Sequence, residues 1–251
     1  MPQHPQDSAD PVAIWRYMSV EKFLAVLSDR ALYFARLESL LDIYEGHCRV
    51  LKFEPDGSEI SASEKAISEV SIHLEATLPD TVKGRVYVNC WFAANDESEL
   101  MWHRYAHSGI AIRSTSQRFL AALDRDALED KRQFRFEPVH YSENILAEHR
   151  NTFDMRGGVV SLDYNDWMRP AFVKASYYMQ ESEWRAAVYT DYQSTEGSSG
   201  IQLPVDIERL IEAVYVSPFA PSYLATTLRS ILLRLQVDVA VCPSKISIRL
   251  H

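Results

Sequence analysis

Residues 86–105, V-Y-V-N-C-W-F-A-A-N-D-E-S-E-L-M-W-H-R-Y, constrain this chain more than any other stretch. Val86, Val88, Cys90 and Phe92 recur at period two. Tyr87, Asn89 and Trp91 fall on the opposite face, so the segment predicts a strand. Ala-Ala-Asn-Asp then breaks the alternation. Asp96 followed three residues later by Glu99 is a capping-box pattern, which predicts a helix beginning at Glu97. On that helix Ser98, Trp102 and Tyr105 share one face, with Glu97, Met101 and Arg104 on an adjacent stripe. A strand running into a helix N-terminus is a frequent ligand position in α/β proteins. The free N–H groups and the helix dipole there favour an anion. The same aromatic residues at the same spacings also build ordinary cores.

The 251 residues allow one large domain or two small ones, and 47% hydrophobic content supports a sizeable core. A net charge of −9 argues against a bulk basic surface for nucleic acid or anionic membranes, though not against a local basic pocket. Cys48, Cys90 and Cys242 are widely spaced, so neither a disulfide framework nor a zinc site is expected, and Cys90 and Cys242 read as buried thiols. The N-terminus is polar, without a signal-peptide core. No apolar run reaches membrane-spanning length, so a soluble cytoplasmic protein is the expectation.

Residues 1–12, with three prolines and no periodicity, predict a disordered tail. Residues 13–251 show no clean boundary and predict a single α+β domain. A strand at 13–18, a helix capped by Ser19 with Phe23, Leu24 and Leu27 inward, and a strand at 31–35 open the fold. A helix is expected at 65–78. Strands are expected at 110–113, 135–141, 183–189, 214–217 and 237–242. Ser114-Thr115-Ser116 caps a helix with Phe119, Leu120 and Leu123 inward. A helix at 223–235 turns Leu224, Thr227, Leu228, Ile231 and Leu235 inward.

No phosphate-loop, dinucleotide-fold, serine-hydrolase or H-E-x-x-H motif occurs, and no metal site is expected: His103 and His107 stand at i, i+4 without a third ligand. Three pieces carry chemistry. Arg16 between Trp15 and Tyr17 can present its planar fork to a phosphate, or simply stack on an aromatic ring. Asp42 and Glu45 precede Gly46 as a close acidic pair, or as solvated helix-end charge. Glu181 and Glu183 enter a strand at i, i+2 on one side, suited to orienting a sugar hydroxyl beside developing positive charge; the alternative is a cross-strand ion pair through Glu183 or Arg185.

W-R-Y-M-S-x-E-K-F at 15–23, D-x-x-E-G at 42–46, C-W-F-x-x-x-x-E-S-x-x-M-W-x-x-Y at 90–105, G-I-A-I-R at 109–113, E-W-R-A at 183–186 and Y-V-S-P-F-A-P at 215–221 together resemble a bacterial domain-of-unknown-function family, number 2971. The resemblance runs from about residue 13 to 245 and implies boundaries rather than a reaction. Ile43-Tyr44 stands where that family usually has Pro followed by an aromatic, so the loop is expected to be less rigid.

A second resemblance bears on chemistry. Arg16 on an early strand, Ser114-Thr115-Ser116 after a middle strand and Glu181-x-Glu183 entering a late one are similar to mono-ADP-ribosyltransferases, although there the serine usually lies on the strand itself. This implies a mixed, split β-sheet flanked by helices, with NAD as substrate. Arg16 would contact a phosphate and Ser114 or Ser116 would support the acidic strand. Glu183 would hold the nicotinamide-ribose hydroxyl as an oxocarbenium-like centre forms, and Glu181 would orient an acceptor protein or nucleic acid. It further implies a bacterial toxin, stress or defence effector that transfers ADP-ribose or hydrolyses NAD.

The expected site is a cleft lined by Arg16, Tyr17, Trp91, Ser98, Trp102, Tyr105 and Glu183, with Glu181 and Ser114 nearby. Two other readings stand beside the enzyme: a non-catalytic module that binds a nucleotide or partner, and a scaffold whose aromatic residues are all core.

Overall fold

The computed structural model describes residues 10–40, 84–124, 128, 133–143, 153–156, 159–162, 168–190 and 199–246. The expected helix at 65–78 and the Asp42/Glu45 pair lie outside the described residues. In chain order the strands are β1 (Ala13–Met18), β2 (Ala31–Arg36), β3 (Val86–Ala93), β4 (Ile110–Thr115), β5 (Gln133–Pro138), β6 (His140–Ser142), β7 (Phe153–Arg156), β8 (Val159–Leu162), β9 (Val173–Ala175), β10 (Glu183–Tyr189), β11 (Gly200–Pro204), β12 (Ala213–Val216) and β13 (Ala240–Pro243). The helices are α1 (Val20–Asp29), α2 (Glu99–Tyr105), α3 (Ser116–Ala122), α4 (Ile207–Leu210) and α5 (Leu224–Arg234).

β3 is the axis of the main sheet. On one edge β10 pairs antiparallel with it along its length, from Glu183 opposite Phe92 to Tyr189 opposite Val86. The other edge is shared. β1 meets β3 only at Ile14↔Ala93 and Trp15↔Phe92, and β2 only at Ala35↔Val88 and Arg36↔Tyr87. Between these two anchor points neither β1 nor β2 pairs with residues 89–91, so among the described residues the sheet splits there. Beyond β1 it continues through β4, β12 and β13, beyond β2 through β11, and beyond β10 through β5. The β12–β13 pair is parallel and the other pairs of this sheet antiparallel, which makes the sheet mixed as well as split. The expected α+β architecture is the one observed.

Alternation distributes the side chains. Ile14, Met18, Trp91, Ile110 and Ile112 face the main core, where α1, α3 and α5 supply Phe23, Phe119 and Leu228. Trp15, Tyr17, Phe92 and Tyr215 face the opposite side beneath Met101 and Trp102 of α2. At the turn into β4, a Cβ on Gly109 would lie 2.2 Å from the Met18 carbonyl oxygen, so only glycine lets this turn press against the end of β1.

Several sequence expectations move. Val12, assigned to the tail, is tied to the fold through its N–H to Ser116 Oγ at 3.0 Å. Helix α2 begins two residues later than Asp96 and Glu99 suggested. Ser98 is the N-cap, accepting from the Met101 N–H at 3.3 Å, because Glu97 is engaged elsewhere: it accepts from Trp102 Nε1, Ser244 Oγ and the Lys245 N–H. The strand expected over 135–141 breaks at Val139, whose N–H donates to the Glu183 carbonyl. α5 turns Leu232 inward and leaves Leu235 47% exposed, since the helix ends at Arg234. Cys90 and Cys242 are half-buried rather than fully buried. Among the described residues no helix is long and apolar enough to cross a membrane.

Candidate functional site

The split in the sheet opens a cleft of about 740 Å³. Its walls come from the end of β1, the outer side of α1, one face of β2 and the middle of β3 between its contacts with β1 and β2. The loop and strand around β9 and β10 complete it. Where β3 loses its strand partner, side chains take over the backbone bonding. Asn89 Nδ2 donates to the Tyr33 carbonyl at 2.9 Å, and Asn89 Oδ1 accepts from Trp91 Nε1 at 2.7 Å. Arg16 Nη1 reaches the Cys90 carbonyl at 3.4 Å, and its guanidinium carbon lies 5.8 Å from the Trp91 ring centre.

Arg16 has no carboxylate partner among the described residues. Burial pulls its pKa from 12.5 down to about 10, and the proximity of Cys90 offsets part of that. It remains a cation at neutral pH, partly desolvated and without a counter-ion among the described residues, a state in which an incoming anion gains binding energy.

Across β3 the situation is reversed. Glu183 and Arg185 share a face of β10, and Arg185 Nε donates to Glu183 Oε1 at 2.6 Å while its Nη1 donates to the Ala171 carbonyl. Lys174 Nζ stands 3.3 Å from Glu183 Oε2 and 2.6 Å from Glu181 Oε2. Glu181 Oε1 accepts from the Tyr105 hydroxyl at 2.8 Å and lies 3.1 Å from Arg104 Nη1. The result is a continuous chain of alternating charge, Arg185, Glu183, Lys174, Glu181, Arg104. Burial alone would push the Glu183 carboxyl upward. That is the largest single influence, but the charge and hydrogen bond of Arg185, with Lys174 and Cys90, together outweigh it and bring the carboxyl from 4.5 down to about 2. Glu183 is therefore an anion at any physiological pH and cannot serve as a general acid there. It can accept hydroxyl protons and oppose positive charge, since a carboxylate offers about four acceptor positions. Burial and the neighbouring Glu181 push the Tyr105 hydroxyl up, so it stays a donor.

Of the sequence-predicted residues, Arg16, Tyr17, Trp91, Tyr105, Glu181 and Glu183 line this one cleft. Ser98, Trp102 and Ser114 do not. Ser98 is spent as the α2 cap. Trp102 is fully buried, 4.9 Å edge-on to Tyr17. Ser114 donates to the Leu210 carbonyl at 2.6 Å, and Ser116 accepts from Val12, so neither serine supports β10. The two glutamates do not meet by strand alternation either. Glu181 ends a 3-10 turn, Ser182 takes a left-handed conformation (φ 38°), and Lys174 draws the two carboxylates together. Lys174 has no local signal in the sequence, because it sits on a short strand in a stretch without clear periodicity. Arg185, at i+2 from Glu183, was within reach of a strand-face argument. His107 stacks on Phe219 and His103 packs tilted against it, and among the described residues no three metal-ligating side chains converge.

No family model matches the chain, so the likeness to family 2971 stays one of motifs. No curated protein matches it. Among solved structures the chain is similar to Thermus sp. 2.9 DarT in complex with NAD+, at 13% sequence identity and a TM-score of 0.37, with 94% of this chain and 97% of that one covered.

Proposed function

We propose that this chain binds NAD in the cleft at the sheet split and transfers its ADP-ribosyl group to an acceptor or to water. The observation that carries this reading is the pairing, in one cleft, of a guanidinium without a carboxylate partner among the described residues and a carboxylate held ionised by its cationic neighbours. Arg16 would take a phosphate, and Glu183 would hold a ribose hydroxyl and oppose the positive charge that builds as the glycosidic bond to nicotinamide breaks. A volume of about 740 Å³ falls within the about 300–1,000 Å³ usual for small-molecule sites. Arg104, exposed, and the buried Glu181 behind it would meet the acceptor. A toxin, stress or defence role rests on the motif resemblance alone.

One observation favours the second reading, a nucleotide-binding module without chemistry. Both Glu183 oxygens already carry bonds, from Arg185 and Lys174.

The test is incubation of the purified chain with NAD and a lysate. Free nicotinamide is measured, together with ADP-ribose on protein or nucleic acid. Nicotinamide release that Arg16→Gln reduces supports the enzyme. Thermal stabilisation by NAD without product supports the module. The absence of both responses removes both readings.

A further inference from the structure

The end of the cleft away from Glu183 has no role in the reading above. Ala31, Tyr33 and Ala35 recur along β2 and line it, while Leu32 and Phe34 face the core. Tyr33 is 41% exposed, yet its ring is fixed. Its hydroxyl shares a hydrogen bond with Ser199 Oγ at 2.8 Å. A Cβ built on Gly200 would lie 2.4 Å from Tyr33 Cζ, so the ring lies directly against the backbone of β11. Opposite Tyr33 in the β2–β11 register stands Gln202, whose Nε2 donates to Asp29 Oδ2 at 3.0 Å. The small side chains of Ala31 and Ala35 leave the ring uncovered on its flanks. An aromatic surface held in one orientation, with an oriented carboxylate beside it, is more than a strand edge needs.

We infer that this end of the cleft is a subsite for a purine carrying an exocyclic amine, which stacks on Tyr33 and donates its amine proton to Asp29. The inference rests on the nucleotide reading proposed above and adds where the base goes. Arg16 and Lys22 line the same cleft from β1 and α1, so phosphates attached to that base meet two cations. The ring pinned by Ser199 and Gly200 needs no ordering on binding, which favours affinity. The carboxylate sets the selectivity. An amine meets an acceptor, whereas the carbonyl of a hypoxanthine would face one acceptor with another.

Calorimetric titration of the full chain with ADP and with inosine diphosphate tests this. Wild type binds ADP about ten-fold more tightly than inosine diphosphate. Tyr33→Leu weakens ADP binding by about ten-fold or more, and Tyr33→Phe, which keeps the stacking face, restores most of it. Asp29→Asn, at an exposed position, erases the preference between the two bases. ADP affinity unchanged in Tyr33→Leu, a wild type that binds neither diphosphate, or a base preference that survives Asp29→Asn each overturns the subsite. The two proposals fail separately. If wild type cleaves NAD and Tyr33→Leu binds ADP as tightly, the base site is lost and the transferase stands. If ADP binding behaves as stated and NAD is never cleaved, the transferase is lost and the base site stands.

Discussion

The two edges of β3 are built on opposite principles. Toward β10 the ladder is continuous, and the buried charges of Glu181, Glu183, Arg185 and Lys174 neutralise one another. Toward β1 and β2 the ladder stops, Asn89 bonds to the Tyr33 carbonyl, and Arg16 is left desolvated without a carboxylate among the described residues. A fully satisfied edge holds the fold but has little left to offer a ligand. An edge with spare capacity costs stability and is where binding energy can be gained. The cleft touches both, so substitutions on its two sides should separate stability from binding.

The largest effect is expected at the satisfied edge. Arg185→Met strands Glu183 beside a single remaining cation and should cost about 3–5 kcal/mol, read as a shift of the urea midpoint. Glu183→Gln should cost a similar amount by stranding Arg185. A midpoint close to wild type for both would mean that this edge is not the stabilising one.

Acid probes the same pair. Glu183 is depressed from 4.5 to about 2, so the unfolded chain takes up this proton before the folded chain does. Its contribution is complete above pH 4.5 and drains away as pH falls toward 2. Denaturation midpoints across that range should fall more steeply for wild type than for Glu183→Gln, and parallel curves would remove the assignment.

Asn89→Ala removes one buried and one partly buried bond and leaves Trp91 Nε1 and the Tyr33 carbonyl without them. It should cost about 2 kcal/mol and weaken NAD binding together with stability.

The smallest stability effect belongs to Arg16→Met. Removing a half-buried cation that has no counter-ion among the described residues should leave stability within about 1 kcal/mol of wild type, or raise it slightly, while NAD affinity drops about ten-fold. A strong loss of stability here would make Arg16 a structural residue and erase the contrast between the edges.

Much of this arrangement was legible in the sequence, and the rest was hidden for definite reasons. Period two placed Trp91 and Cys90 on opposite faces of β3, and the aromatic bracket around Arg16 marked a residue that does line the cleft. Helix α2 was misplaced because Asp96 matched a local pattern while Glu97 was bound by Ser244 and Lys245, far along the chain. Ser114 and Trp102 carried plausible chemistry, but each is consumed by a packing or hydrogen-bonding partner that only the fold supplies. Lys174 is the clearest loss. Its meeting with Glu181 and Glu183 depends on the reversal of the chain between β9 and β10, and no spacing rule encodes that. The split itself follows from two strand pairings on one edge of β3, a tertiary fact without a local signature.

Ser182, between the two acids, sits at φ 38° and ψ 51°, where most side chains pay about 1–2 kcal/mol and glycine pays almost nothing. The spacing of the two carboxylates is thus set by the handedness of a single residue. A library randomised at this position and sorted only for folding should enrich Gly, Asn and Asp and lose Val and Ile. Natural lineages would drift here within the same narrow alphabet, whatever the cleft is used for.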